Sequence, residues 1–225
     1  AWSADSRWLA YVVPAANLFD QIFLYRIEGG TTTAVTTDRF DSGSPAWSPD
    51  GKWLAALADY DFGSGRGVLV RVGPDGQRAR VAGAVSFHGF GPGGELALVS
   101  GGSLLWAEPG ADPVPVAGAT GVATFEFAPR AGAGRPTLLL ARRERAAGGE
   151  LLAVAGGRLL GAGPRKAVGD YGFSPDGEHV AATVASGGEG YDLEVGRVGP
   201  AGPKLSPVAR GVQAFGFSRD GRALA

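Results

Sequence analysis

Cysteine and methionine are both absent from this chain of 225 residues. The absence of cysteine excludes disulfides and thiolate-bound metals, and it leaves the cellular compartment open. The chain also lacks an excess of charge: 21 Lys and Arg against 22 Asp and Glu leave a net charge of −1. No stretch approaches the ~18 consecutive apolar residues that would span a bilayer. We therefore expect that the protein does not bind nucleic acid and does not insert into a membrane.

Residues with obvious catalytic chemistry are also scarce. The two histidines, His88 and His179, have no second histidine at metal-ligand spacing, and no Gly-x-Ser-x-Gly sequence marks a serine nucleophile. We expect both histidines to be structural or solvated, and we expect no catalytic centre, cofactor or metal in this chain. A Ser-His-Asp set drawn from distant segments stays open, because triads are defined in space and not by sequence order.

One short phrase is abundant. An aromatic residue leads into small residues and an Asp-Gly-like turn, and an apolar run follows. The phrase occurs six times, starting at Trp2, Trp47, Phe90, Phe127, Phe173 and Phe217, so its leading aromatics lie 37 to 46 residues apart. Thirty-nine glycines and fifteen prolines suit a protein made of turns. This period, built from short strands and tight turns, predicts an all-β fold, a β-propeller of four-stranded antiparallel blades.

The second repeat shows how a blade is predicted. Pro49-Asp50-Gly51 supplies a tight hairpin turn, and the apolar run Trp53–Leu57 reads as a strand packed on both faces. Ala58–Gly67 reads as a polar, aromatic loop, Val68–Val72 as a third strand and Ala79–Val81 as an outer edge strand. In the fourth repeat, we expect Gly156-Gly157 to interrupt the outer strands.

The repeat predicts one propeller region over residues 1–225, with blades at about 1–43, 44–85, 86–122, 123–168 and 169–212 and a partial blade at 213–225. Five complete blades and the start of a sixth do not close a ring. The last phrase stops at Ala225 before its blade is finished. We therefore expect an internal piece of a longer protein, whose remaining blades complete a larger ring.

The phrase of an aromatic residue, Ser-Pro-Asp-Gly-Lys and an apolar strand resembles the propeller repeat of TolB, of tricorn-type peptidases and of prolyl-peptidase propellers. Residues 1–57 most resemble the second, seven-bladed propeller of tricorn-type serine peptidases. That resemblance rests on Trp2–Tyr11, Gln21–Tyr25, Thr36–Ser42 and Ser44–Lys52, about a quarter of the chain. It implies a non-catalytic propeller that filters, channels or docks peptides. The peptidase core that follows the propellers in such enzymes is not in this chain, so no catalytic residue is carried over.

Partner-binding residues are expected on the face that carries the loops joining second and third strands and the connections between blades. The long segments predicted there are Pro14–Gln21, Ala58–Gly67, Arg142–Glu150, Ser186–Asp192, Asp38–Gly43 and Gly169–Tyr171. Binding residues concentrate on such loops, and aromatics with Arg are enriched at recognition surfaces. The candidate face comprises Phe19, Asp20, Arg39, Phe40, Asp41, Tyr60, Asp61, Phe62, Arg66, Arg143, Tyr171 and Tyr191. The alternative is that these aromatics cap the core.

Three acidic or basic groups have competing interpretations. The loop aspartates Asp38, Asp41, Asp59 and Asp61 could hold a divalent cation, but Asx turns and pairing with nearby arginines are favoured because the calcium-loop pattern is missing. The repeated turn aspartates are attributed to hairpin chemistry rather than to a ring of acidic sites. The basic patch Arg142–Arg145 is expected in a solvated loop, with an anion or carboxy-terminus contact as the alternative.

Two functions follow from these expectations. The first is a propeller that binds or gates peptides or protein partners in a tricorn-like serine peptidase, which would be cytoplasmic. The second is a TolB-like interaction scaffold, which would be periplasmic. An enzyme with its active site in the propeller channel is a third and weaker alternative, since paired catalytic motifs are lacking.

Overall fold

The computed structural model describes residues 1–36, 39–73, 76–130, 136–145, 148–163, 167–187, 190–221 and 223–225. Within these ranges the protein is all-β, without a helix. Accordingly, the described residues include no helix long and apolar enough to cross a membrane. The strands, in chain order, are β1 (Trp8–Pro14), β2 (Asp20–Arg26), β3 (Thr31–Ala34), β4 (Asp41–Trp47), β5 (Leu54–Asp61), β6 (Arg66–Val72), β7 (Arg78–Phe90), β8 (Leu96–Ser100), β9 (Ser103–Ala107), β10 (Val114–Thr120), β11 (Val122–Phe127), β12 (Leu138–Arg145), β13 (Gly148–Ala155), β14 (Arg158–Ala162), β15 (Val168–Phe173), β16 (Val180–Ala185), β17 (Tyr191–Gly199) and β18 (Gly202–Ala209).

The strands form antiparallel meanders. Strands β11 to β14 and β15 to β18 make two four-stranded sheets, β1 to β3 a three-stranded sheet, and β4 to β10 a seven-stranded sheet in sequence order. The chain divides into two compact units: unit 1 is residues 1–101 and 105–114, and unit 2 is residues 102–104 and 115–225. The prediction of four-stranded antiparallel sheets is thus confirmed, whereas the blade boundaries and the number of blades stay predictions.

The core of unit 1 lies on both faces of β5. Leu54 and Ala56 pack with Ile22 in one hydrophobic cluster, and Ala55 and Leu57 belong to another cluster. The residues from Leu54 to Ala58 are all buried. A strand covered on both faces needs a continuous apolar run rather than an alternating one, and the sequence supplies it.

Unit 2 has its own core. One cluster joins Leu140, Ala153 and Phe173, and a second joins Leu151 with Val168 and further buried residues. Both clusters connect the sheet of β11 to β14 with the sheet of β15 to β18. Each sheet therefore buries an apolar face against the other, as layered β-structures require.

The recurring phrase folds as the sequence predicts. At Ser48, the hydroxyl donates to Asp50 Oδ1 over 2.6 Å and accepts the backbone N–H of Trp53 over 3.0 Å. Asp50 Oδ1 also accepts the N–H of Lys52, and Gly51 takes the positive φ of +69° that closes the turn. The phrases at Ser3, Ser174 and Ser218 repeat the serine-aspartate hydrogen bond. These aspartates therefore serve hairpin turns.

Two predicted loops are strands instead. Strand β5 extends to Asp61 and β6 starts at Arg66, so the predicted loop Ala58–Gly67 is wrong for most of its length. Asp61 accepts the N–H groups of Gly63 and Ser64, which tightens the connection to a short turn. Similarly, β12 and β13 occupy most of the predicted loop Arg142–Glu150, whose residues 146 and 147 lie outside the described ranges. There Arg143 and Glu150 are cross-strand partners, so their charges are compensated within the ladder.

Two further expectations are corrected. Gly169–Tyr171, predicted as a connection, lies inside β15. Gly156 and Gly157 do not interrupt strands but form the turn between β13 and β14, with φ of +51° and +72°. Ala79–Val81 pairs with β6 alone, as predicted for an outer edge strand, and the same strand β7 continues beyond it to pair with β8 from Val85 onward. Ala84, at φ +52°, lies where that long strand passes from one partner to the other.

Candidate functional site

The structure distributes the predicted binding face over both units. Unit 1 holds Phe19, Asp20, Arg39, Phe40, Asp41, Tyr60, Asp61, Phe62 and Arg66, whereas unit 2 holds Arg143, Tyr171 and Tyr191. The unit 1 residues cluster at strand ends: Asp20 begins β2, Asp41 begins β4, and Tyr60 lies at the end of β5. Asp38 of the candidate aspartate group lies outside the described residues.

A cleft of about 300 Å³ in unit 1 brings four of these residues together. Asp20 and Asp41 supply its charged wall, and Tyr60 and Phe62 supply its aromatic wall. Ser42 and Gly43 of the lining belong to the predicted connection Asp38–Gly43, whereas sequence reasoning missed Val12, Ser44 and Leu57. No repeated motif marks these positions: Val12 lies on β1 and Leu57 on β5, and Ser44 lines the cleft through the irregular path of β4.

That irregular path is a double disturbance of the β4–β5 ladder. The register shifts between Asp41 and Gly43 and again between Gly43 and Ala46. Ser44, between them, adopts φ +53°, a left-handed conformation that is uncommon for a residue with a side chain. Bulges of this kind turn backbone and side chains away from the regular ladder. Here the bulge lies along the wall of the cleft.

The aromatic rings near the cleft form two pairs. The rings of Tyr60 and Phe62 meet edge to face with centroids 5.1 Å apart, and those of Phe19 and Phe40 lie 6.2 Å apart. Phe62 is 73% exposed and Phe40 is 57% exposed. Edge-to-face pairs are a favoured aromatic arrangement. Rings this exposed do not cap a core, so the alternative interpretation fails for Phe40 and Phe62.

Hydrogen bonds fix Phe40 and Asp41, at the start of β4, against β2. The backbone N–H of Asp20 donates to Asp41 Oδ1 over 2.7 Å, and Gln21 Nε2 donates to the carbonyl oxygen of Phe40 over 3.0 Å. Gln21 is buried, so its amide holds the exposed Phe40 from beneath. The acidic wall is thereby held in place before any partner arrives.

Asp61 and Arg66 have a structural role beside the cleft. They are paired residues where β5 turns into β6, and the Asp61 carbonyl oxygen also accepts the N–H of Gly65. The Ser64 hydroxyl, followed by the Gly63 N–H, lowers the pKa of the Asp61 carboxyl. This is the predicted Asx-turn role. Arg39 is exposed and does not line the cleft.

The unit 2 residues of the predicted face are mostly engaged within the chain. Arg143, with a side chain only 13% exposed, contacts Glu150 over 2.6 Å and donates to the carbonyl oxygen of Gly118. Tyr171 shares a hydrogen bond with Thr124 over 3.1 Å, and burial raises the pKa of its phenol. Tyr191 is 41% exposed. Of these three, only Tyr191 offers a free ring surface.

The histidines differ in their environments. His88 lies in β7 beside a cavity of about 260 Å³, and neither of its buried ring nitrogens makes a hydrogen bond of ordinary geometry with the described residues. Burial lowers its pKa to about 4, and the nearby Ser44 backbone opposes the shift only in part. His179 contacts the Arg197 guanidinium at the surface. Among the described residues, no three His, Asp or Glu side chains form a metal-binding group.

Comparison with solved structures identifies the fold. The chain is similar to TolB from Acinetobacter baumannii at 17% identity, covering 97% of this chain and 57% of that one, with a TM-score of 0.51. It is similar to the β-propeller domain of Cps50 (Swd1) from Myceliophteria thermophila at 10% identity, covering 93% and 69%, with a TM-score of 0.56. It is also similar to hydrazine synthase from Kuenenia stuttgartiensis at 15% identity, covering 99% of this chain and 71% of that one, with a TM-score of 0.60.

Sequence comparison adds no family to this result. No protein-family model matches the chain, and no curated protein matches it in sequence. At these low identities the structural likeness concerns the fold alone, which is of the β-propeller type. The chain spans a little over half of TolB, so properties of that whole protein do not transfer with the fold.

Proposed function

We propose that this chain is a non-catalytic, protein-interaction β-propeller that binds an extended segment of a protein partner in the unit 1 cleft. The observation that supports this proposal is the aromatic wall formed by the half-buried Tyr60 and the exposed Phe62, which faces a concave site with prepositioned aspartates. Aromatic anchors at a concave surface are a common basis of peptide and protein recognition.

The charges of the cleft favour one class of ligand. Asp20 and Asp41 are the charged side chains among its described lining residues, and no cation accompanies them there. A Lys or Arg side chain of the partner would meet both carboxylates and could lie on the face of the Phe62 ring. The proposed ligand is therefore an extended peptide segment with a basic residue.

Peptide binding tests this proposal. Acetylated and amidated peptides that differ only in a central Lys, Arg, Gln or Met would be titrated against the 225-residue chain by fluorescence anisotropy. The wild-type chain should prefer Lys or Arg by about tenfold, as expected for a charge-assisted contact. The double substitution Tyr60→Ala and Phe62→Ala should abolish binding, and Asp20→Asn should remove the preference for basic residues.

The matched control is a substitution at Val208. This residue is apolar and exposed, and it belongs to unit 2, whereas the cleft residues belong to unit 1. Val208→Ala should leave both affinity and preference unchanged. Unchanged binding in the Tyr60/Phe62 double variant, with a melting temperature close to that of the wild type, would overturn the proposal.

We further propose which kind of larger protein contains this propeller. The resemblance of residues 1–57 to the second propeller of tricorn-type enzymes supports a peptide-handling propeller of a serine peptidase, working in the cytoplasm. The alternative is a TolB-like periplasmic scaffold, and the fold likeness to TolB is consistent with it. Sequencing the gene on both sides of this region separates the two: a downstream serine-peptidase domain supports the first, and an upstream secretion signal without a downstream enzyme supports the second.

A further inference from the structure

An aromatic-arginine pair recurs at one position of the repeat. The residue five places after the turn serine faces an arginine 18 residues further on: Trp8 with Arg26, Trp53 with Arg71, and His179 with Arg197. The Arg26 guanidinium carbon lies 5.8 Å from the Trp8 ring centroid, and that of Arg71 lies 4.4 Å from the Trp53 centroid. Arg197 Nε lies 3.3 Å from His179 Nε2. In each repeat, adjacent strands bring the two side chains together.

In two of these pairs a carboxylate of the chain accompanies the guanidinium. Glu28 lies 3.8 Å from Arg26, and Glu178 lies 3.8 Å from Arg197. Arg71 has no carboxylate partner among the described residues, and its buried Nε makes no hydrogen bond there.

The sequence explains why the middle pair differs. Glu28 follows Arg26 by two residues, and the same position after Arg71 is Gly73. Glu178 directly precedes His179, and the corresponding position before Trp53 is Lys52. The second repeat thus replaces one carboxylate by glycine and the other by a cation.

A groove of about 510 Å³ opens over this middle pair, at the end of β5 opposite to Tyr60. Three turns contribute to its walls, each with a proline: Pro49, Pro92 and Pro109. Trp53, Arg71 and Lys52 also line it. All of these residues belong to unit 1. The sequence predicts only tight turns at this end of the strands.

The acidic residues of the groove are already engaged within the chain. Asp50 accepts the Ser48 hydroxyl and the Lys52 N–H, and its other oxygen lies 3.6 Å from Lys52 Nζ. Glu108 accepts the indole N–H of Trp106 over 3.0 Å. Among the described residues that line the groove, Arg71 is the cation that has no carboxylate partner.

We propose that this groove is a second binding site, which takes an extended peptide segment through an Asp or Glu side chain placed at Arg71. The ligand carboxylate would occupy the position that Glu28 and Glu178 occupy beside their arginines. Stacking on Trp53 fixes the orientation of the Arg71 guanidinium, which favours bidentate hydrogen bonding to a carboxylate. The prolines and the aromatic rings of Trp53 and Phe90 offer apolar surface to the neighbouring residues of the segment. This site is independent of the proposed cleft.

The test uses the full 225-residue chain and acetylated, amidated peptides in which Glu, Asp, Gln or Lys occupies the centre of a Pro- and Leu-containing segment. Affinity would be measured by anisotropy, and the site would be located by the shift of the Trp53 indole N–H signal in NMR. We expect Glu and Asp peptides to bind about ten- to a hundredfold more tightly than the Gln peptide. Arg71→Gln should remove that difference.

Arg26→Gln is the matched control, because Arg26 occupies the same repeat position with its carboxylate present. It should leave peptide affinity unchanged. Arg71→Glu should reverse the preference toward the Lys peptide, which keeps the proposal testable if Arg71→Gln folds poorly. Equal affinity for Glu and Gln peptides would overturn the proposal, and so would an equal loss in Arg26→Gln. A companion set of the same peptides with a free carboxy terminus would be titrated as well, and binding to that set alone would overturn the proposal and identify a site for chain ends.

Discussion

The hydroxyl group of Ser174 donates a hydrogen bond to Asp176 Oδ1 over 2.5 Å, while its oxygen accepts the backbone N–H of His179 over 2.9 Å. Ser174 is fully buried and Asp176 is exposed. One serine thus ties the strand before the turn to the strand after it, and the aspartate ties the turn itself. The same arrangement at Ser3, Ser48 and Ser218 explains why the phrase recurs.

Removal of one such hydroxyl should destabilise the protein measurably. Ser174→Ala leaves the partly buried N–H of His179 without its acceptor and removes the hydroxyl that donates to the Asp176 carboxylate. We expect a loss of about 1–2 kcal/mol in the free energy of unfolding, measured by urea denaturation. Ser186→Ala is the control, since the only hydrogen bond of its hydroxyl to another described residue goes to the Gly190 carbonyl oxygen near the surface. A loss at Ser174 no larger than that at Ser186 would contradict this role.

The turn hydrogen bonds should also be visible as a pKa shift. The Ser48 hydroxyl first, and the Lys52 N–H second, lower the pKa of the Asp50 carboxyl below 3.8. A carboxyl with a lowered pKa favours the folded state above the unfolded pKa, and that contribution is lost as the pH falls through the folded value. Carbon-13 NMR titration should place Asp50 below 3.8, and Ser48→Ala should move it upward. A titration unchanged by Ser48→Ala would assign the shift to another cause.

His88 should make the stability depend on pH. Burial lowers its folded pKa to about 4 from 6.5, so the unfolded state binds the proton more readily. The stabilisation by the neutral imidazole is fully present above pH 6.5 and is lost as the pH falls toward 4. The total is on the order of 3 kcal/mol. Urea unfolding at a series of pH values from neutral to acid measures it.

His88→Phe should remove most of the pH dependence within that window, because phenylalanine fills a similar volume and takes no proton. The surface histidine provides the comparison: His179→Gln should keep the dependence of the wild-type chain. If the stability of His88→Phe falls with pH as steeply as that of the wild type, the titrating group lies elsewhere.

The turns and the doubly buried strand could be predicted from sequence because local chemistry determines them. Pro49-Asp50-Gly51 needs only its neighbours to form a hairpin. The continuously apolar run Trp53–Leu57 predicts a doubly covered strand, and the structure buries Leu54–Ala58 there while Trp53 is exposed. The cleft could be predicted only in part. Tyr60 and Phe62 stand out by residue type, but the left-handed Ser44 and the bulge around it depend on the strand opposite.

The strand positions of charged residues were the main error, and the cause is long-range pairing. Arg142–Arg145 looks like a solvated loop because charge is unfavourable in a covered strand. Arg143 is nevertheless tolerated there because β13 places Glu150 opposite to it. The proposed binding position at Arg71 could not be predicted from sequence for the same reason. It is recognised only once Trp53 and Arg71 are known to contact each other across strands.

The Arg143–Glu150 pair should prove structural rather than a partner contact. The side chains of Arg143 and Glu150 are 13% and 5% exposed, and Arg143 Nη2 lies 2.6 Å from Glu150 Oε1. Removal of one charge therefore leaves the other buried without its partner. Arg143→Met should cost on the order of 3 kcal/mol, and combining it with Glu150→Leu should recover much of that loss. A double-mutant cycle in urea measures the coupling. If Arg143 instead contacts a partner, Arg143→Met would leave the unfolding free energy nearly unchanged and would weaken peptide binding, and the pair would then belong to the binding face that the sequence predicted.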